Sequence, residues 1–212
     1  MEGFPTGYPP WPVHRLDMMT SGVLIMAKKQ SAAGPLAGQF SNRTAQKSYL
    51  AIVSGVPKTD SFFVDTPIGR HPTEKIARAV VPDGDAAHTD FIVVSCNQDA
   101  SLTGFVPGLV ATEAMYKDRG AALVVAMPRT GRTHQIRVHL ADAGHAIIGD
   151  EVYGVQGPWI GRQALHAASL RLKHPGTGKA FHLIAPLPPD ILEALQMLDI
   201  QAPDPEKLQT LL

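Results

Sequence analysis

The chain has 212 residues, 44% hydrophobic and 18% charged, enough for one large domain or two small ones with a core of its own and too apolar for a disordered polymer. A single cysteine, Cys96, excludes an internal disulfide framework, and no apolar run is long enough to span a bilayer. The start, MEGFPTGYPPWPV, has neither the basic nor the long apolar region of a secretory signal.

Residues 1–13 are rich in proline and read as an irregular N-terminal segment. The apolar, partly β-branched run Gly22–Ala27 predicts a strand, and Leu36 and Phe40, four apart, predict a short helix over Ser31–Arg43. Gln46–Gly55 alternates through Tyr49, Ala51 and Val53 and predicts a strand. Further strands are expected at Phe62–Asp65, Lys75–Val81, Thr89–Cys96 and Ala121–Met127. Residues 97–120, rich in Gly, Ser, Thr and Ala, read as a surface insertion. Thr133–Ala143 predicts a helix stopped by Gly144. Two strands, Ala164–Lys173 and Lys179–Ala185, are joined by HPGTG, and Pro188–Leu198 predicts a last helix before an acidic tail at 199–212. Strands outnumber scattered helices, so the class is α+β, with a mainly antiparallel sheet. One domain is placed at 14–198.

The net charge is zero, but its distribution is uneven. No acid falls between Met18 and Thr59, where Lys28, Lys29, Arg43, Lys47 and Lys58 lie. Arg119–Ala141 is acid-free as well, and holds Arg119, Arg129, Arg132 and Arg137. Two positive segments in a neutral protein suit a local anionic ligand such as a phosphate backbone. Asp17, in HRLDMMTSG, is the one acid of its stretch; taken alone it reads as a turn or cap residue. Arg137 has the fork geometry to hold a carboxylate ionised, and taken alone reads as a solvated helix charge. Tyr49 is either a core aromatic or a ring on which a base stacks. His134 and His139 stand five apart, on different helix faces, and no cysteine or carboxylate joins them at ligand spacing, so no metal site is expected. GTGK at 176–179 lacks the flanking residues of a phosphate loop and is better explained as a hairpin turn.

Together, HRLDMMTSGVLIMAK (14–28), QKSYLAIVSG (46–55), GRTHQIRVHLADAGHAIIGDEVYG (131–154) and LHAASLRLKHPGTGK (165–179) resemble, in order, the motifs of the RluA-type pseudouridine synthase family. The resemblance implies the pseudouridine synthase fold, a curved, mainly antiparallel sheet with peripheral helices, and the isomerisation of uridine to pseudouridine in structured RNA, rRNA or tRNA, with no metal and no organic cofactor. It implies Asp17 as the catalytic aspartate, attacking C1′ or removing a sugar proton. Tyr49 would pack on the uracil, Arg137 would pair with Asp17, and Arg15 would help hold RNA with its base flipped out. Lys47, Arg132 and His134 join Arg15 as expected RNA contacts. An intracellular protein, cytoplasmic with an organellar location as the alternative, and without a membrane or an obligate protein partner, is expected. The family also carries strands with a K-P-x-G motif before HRLD, and nothing in residues 1–13 resembles them. The expectation is therefore a fold lacking its usual N-terminal strands, with an unpaired sheet edge near Asp17. An inactive RNA-binding remnant is the alternative, and a hydrolase with an Asp nucleophile is disfavoured for want of a general base or metal set.

Overall fold

A computed structural model describes residues 10–212, apart from the side chains of Pro205 and Lys207. In chain order the elements are β1 Trp11–Pro12, β2 Ser21–Gly22, β3 Met26–Ala27, α1 Gln30–Ser41, β4 Gln46–Ser54, β5 Ser61–Val64, β6 Ile68–Arg70 and β7 Arg78–Val80. They continue with β8 Thr89–Ser101, β9 Val106–Pro107, β10 Arg119–Pro128, α2 Gln135–Asp142, β11 Val155–Gln156, β12 Leu165–Lys173, β13 Ala180–Ile184, α3 Pro189–Met197 and α4 Pro205–Leu211. The main sheet has seven strands in the order β13-β12-β4-β10-β8-β5, with β2 added to β12. All its pairs are antiparallel except β2 with β12. The α+β class and the mainly antiparallel sheet are as the residue pattern predicts.

β4 and β10 form the centre. Ala121 through Ala126 are all completely buried, so both faces of β10 are covered, and its continuous apolar run reflects that. On β4 the period of two separates the faces. Ser48 turns its hydroxyl to the Leu212 carbonyl, on the side where Ile191, Leu195 and Leu208 pack, and Tyr49 turns the other way. A satellite core of Val13, Ala27, Leu36 and Leu172 seats α1 and the N-terminal strands beside the sheet.

Several expectations are corrected. The strand predicted over Gly22–Ala27 is broken in two because the run crosses between sheets. Gly22 pairs with Ala167 of β12, while Met26–Ala27 pairs with β1. Trp11–Pro12 is therefore strand rather than irregular; residues 1–9 of the expected irregular segment lie outside the described residues. The strand predicted over Lys75–Val81 shrinks to β7, paired with β6, which periodicity did not indicate. β8 runs on to Ser101 and β10 starts at Arg119, so residues 97–120 begin and end inside strands. Between them Leu102 is completely buried, and the amides of Gly108, Leu109 and Val110 donate to the carbonyls of Gly154, Glu151 and Val152. Residues 199–212 include α4, capped by Asp204 and seated through Leu208 and Leu212. Near Asp17, β2 takes the half of the β12 edge that β13 leaves open, since both lie opposite β4. No helix of the described residues is long and apolar enough to cross a membrane.

Gly22 shows how tightly β2 is seated. Its φ is +115°, and a Cβ there would stand 2.2 Å from the Ala167 carbonyl oxygen. Gly22→Ala is expected to lower stability by at least about 1–3 kcal/mol, read as a fall in the urea midpoint, because backbone strain and the clash add.

Candidate active site

The cleft beneath β2 is built by three segments: the loop carrying residues 13–20, the start of β4, and the 128–137 turn leading into α2. It encloses about 260 Å³ and is lined by His14, Arg15, Asp17, Lys47, Tyr49, Thr130, Arg132, His134 and Arg137, among others. The candidate residues named from the sequence thus meet in one place, although Asp17, Tyr49 and Arg137 lie on separate elements.

Asp17 opens a turn in which its carbonyl accepts from the Thr20 amide at 3.0 Å. The turn forces Met19 to a φ of +71°, a region costly for a side chain without hydrogen bonds of its own. It is held from outside. Gln163 Nε2 donates to the Met18 carbonyl and to Thr20 Oγ1, and Arg162 Nη1 donates to the Met19 carbonyl. His14 braces the other end: its Nε2 accepts from the Ile25 amide at 2.9 Å and its ring stacks on Phe40. Burial and the nearby Lys47 charge depress the His14 pKa, which keeps that nitrogen free to accept.

Arg137 is paired with Asp17 as expected, but through one long contact and not through its two-pronged fork, which is a departure. Its fork grips Asp150 instead, Nε to Oδ2 at 2.6 Å and Nη2 to Oδ1 at 2.7 Å. Nη1 alone faces Asp17, 3.9 Å from Oδ2, too long for a hydrogen bond. Asp150 is completely buried, and its Oδ1 also accepts from the amides of Val152 and Tyr153. Burial works against the Arg137 charge, but the bonds to Asp150 and the field of both carboxylates outweigh it, and its pKa is raised. The physical reason for the departure is charge balance: a cation as buried as Arg137 needs a fully bonded anion, and half-open Asp17 cannot supply one. The consequence is chemical. Arg137 holds its charge near Asp17 without closing a tight ion pair on it, so the Asp17 carboxylate stays open to the cleft.

Tyr153 closes the network. Its ring lies 5.0 Å from the Arg137 guanidinium carbon, and its hydroxyl oxygen accepts from the Arg78 amide. Burial pushes that phenol up to about 12, so it keeps its proton and can donate it to His134 Nδ1 at 2.8 Å. Burial and Arg137 in turn depress the His134 pKa, matching an accepting Nδ1 and leaving Nε2–H as the ring's donor. Tyr49 is likewise pushed up to about 12, by burial and then by the Asp17 charge; it is a neutral ring at any physiological pH.

Lys47 reaches the Thr130 carbonyl at 3.2 Å, and its pKa is lowered by burial. Arg132 is tethered through Nε to the Ala86 carbonyl, and Arg15 is exposed on the rim. Gln135 is a structural post, tying Thr130, the Arg132 amide and His88 together. The remaining histidines are apart: His139 is buried between Thr89 and Thr66, and His145 bonds the Ser54 carbonyl. Among the described residues no three His, Cys, Asp or Glu side chains gather as a metal site would require. Sequence reasoning assigned no role to Asp150, Tyr153, Arg162 or Gln163. The available signal was an acid, Asp150, two residues after the apolar run Ala146–Ile148, where a carboxylate is buried and needs a cation.

The sequence profile of the RNA pseudouridylate synthase family matches residues 4–142. Ribosomal large subunit pseudouridine synthase D of Nitrosomonas europaea is 38% identical over 195 residues, covering 88% of this chain and 50% of that protein. A protein of Chloroflexus aurantiacus named as an uncharacterized RNA pseudouridine synthase is 40% identical over 90% of this chain and 54% of its own length. The chain thus spans about half the length of these curated relatives. The solved structure of human RNA pseudouridylate synthase domain containing 1 superimposes with a TM-score of 0.73 at 26% identity, over 96% of this chain and 80% of that one. The motifs, the cleft they converge on and these likenesses agree, and the chain belongs to the RNA pseudouridylate synthase family.

Proposed function

We propose that this chain carries the catalytic cleft of an RNA pseudouridine synthase, acting on uridine in ribosomal or transfer RNA. The observation that carries the reading is the half-open Asp17 carboxylate, held in the cleft with the Tyr49 ring and facing an Arg137 whose main ion pair is made elsewhere. The name of the Nitrosomonas relative favours ribosomal RNA as the substrate.

The reaction breaks C1′–N1 and forms C1′–C5; C5 gives up its proton and N1 gains one. It is an isomerisation, so its balance needs no oxidant, reductant or cofactor. A paired uracil must first be extruded, at about a few kcal/mol. Arg15, Lys47, Arg132 and His134 supply donors for phosphates and sugars around the opening, and Tyr49 a face for the base. Asp17 then acts as the anion that attacks C1′ or takes a sugar proton. Acting on ribosomal or transfer RNA, the enzyme would work inside the cell, in the cytoplasm or in an organelle, and the reaction calls for no metal or obligate protein partner.

The test is to incubate the protein with ribosomal and transfer RNA transcripts and to count pseudouridine by mass spectrometry. Modification at defined positions supports the reading; RNA binding without any pseudouridine would leave an RNA-binding remnant. Tyr49 offers a finer check. Tyr49→Phe is expected to keep RNA affinity because the ring survives. Tyr49→Ala is expected to weaken capture of the flipped base by about 1–3 kcal/mol, seen in binding to a transcript whose target uridine is unpaired.

A further inference from the structure

The turn bearing Asp17 has few fastenings of its own. β2 pairs with β12 through only Ser21 and Gly22, and Met18 and Met19 are exposed, at 81% and 51%. What holds the turn comes from the far end of the chain. Arg162, 12% exposed, directs its guanidinium three ways at once. Nε and Nη2 grip Asp190 of α3 at 2.7 and 3.0 Å. Nη2 also donates to Ser21 Oγ at 3.0 Å, and Nη1 donates to the carbonyls of Met19, Gln163 and Leu165 at 3.1 to 3.2 Å.

From this we infer that Arg162, locked by Asp190, is a positioning residue for Asp17. It ties α3 and β12 to the carbonyl of Met19, the residue whose positive φ shapes the turn, and so sets where the Asp17 carboxylate stands. The inference rests on the reading of Asp17 as the reacting group. Only a planar, many-donor fork can bridge a carboxylate, a hydroxyl and a backbone carbonyl on three different segments; an ammonium reaches one or two of them. Arg162 is not among the residues that line the cleft, so it acts on the reaction through the segments it ties together, the turn and the Leu165 backbone.

Two variants test it in the full chain, Arg162→Lys and Asp190→Asn, with two readouts. The first is the methyl NMR spectrum of the methionines, which needs no substrate: both variants are expected to move the Met18 and Met19 signals and leave those of distant methionines in place. The second is the single-turnover rate at saturating RNA. Arg162→Lys is expected to lower it roughly 10–100-fold with RNA affinity changed by less than about twofold, the pattern of a misplaced reacting group. Asp190→Asn is expected to lower it less, and to add nothing in the Arg162→Lys background, because both act through one contact. Unchanged methionine signals, a wild-type rate in folded Arg162→Lys, or a rate and affinity that fall together would each overturn the inference. A wild-type protein that forms no pseudouridine, yet shows the expected methionine shifts, would overturn the functional reading and reduce Arg162 to a purely structural clamp. Should Arg162→Lys fail to fold, Asp190→Asn decides alone: Asp190 is half-exposed and the asparagine amide oxygen can still accept from Arg162, so the weaker lock is tested in a folded chain, and an unmoved rate and spectrum there would refute the clamp.

Discussion

Asp17→Asn is expected to form no measurable pseudouridine while melting at nearly the wild-type temperature. The exchange is close to isosteric and removes only the charge. Asp17 is one-fifth exposed and makes no hydrogen bond to Arg137, whose charge remains neutralised by Asp150. Loss of the carboxylate therefore leaves no buried charge unpaired. The turn is also retained, since it is held through backbone carbonyls and through Thr20 rather than the Asp17 side chain. The rate should fall at least about 10³-fold, the scale of removing a group that acts on the reacting atoms. The measurement is single-turnover modification of a transcript the wild-type protein modifies, beside a thermal melt. Substantial turnover by the folded variant would remove Asp17 from the reaction.

The second large effect concerns the Arg137–Asp150 pair, where activity and stability are expected to separate. Arg137→Lys keeps the charge but cannot grip both oxygens of Asp150 and still present a nitrogen toward Asp17. Its rate is expected to fall on the order of 10²-fold or more, as when a preorganised donor is lost from a site. Asp150→Ala strands a buried guanidinium and two backbone amides. It is expected to cost about 3–5 kcal/mol, out of a total of about 5–15 kcal/mol for a typical domain. The ordering is the check: Asp150→Ala should have the lower urea midpoint. A near wild-type rate for Arg137→Lys would show that its bidentate grip does not matter to the reaction.

Much of this architecture was legible in the sequence. The helices around Leu36 and around Ile136, and the hairpin around HPGTG, lie within a few residues of their predicted positions, because each carries a local period or stop signal. The alternation of Tyr49, Ala51 and Val53 set Tyr49 on one face of β4, but no local pattern singled out Asp17, Tyr49 or Arg137; only the resemblance of the motifs, taken together, to a known family did so. What the sequence could not decide are pairings between distant segments. Nothing local says that the run after Gly22 changes sheets, that residues 106–110 lie along 151–156, or that Leu208 and Leu212 pack into the core. The same holds in the cleft. A cation has one best partner among all the carboxylates the fold brings near it, and burial chooses it. Only once α2 and the turn at Asp150 are packed together does the fully enclosed carboxylate win Arg137 from the half-open Asp17. Only when β12 lies against β2 does Arg162 meet a turn more than a hundred and forty residues away.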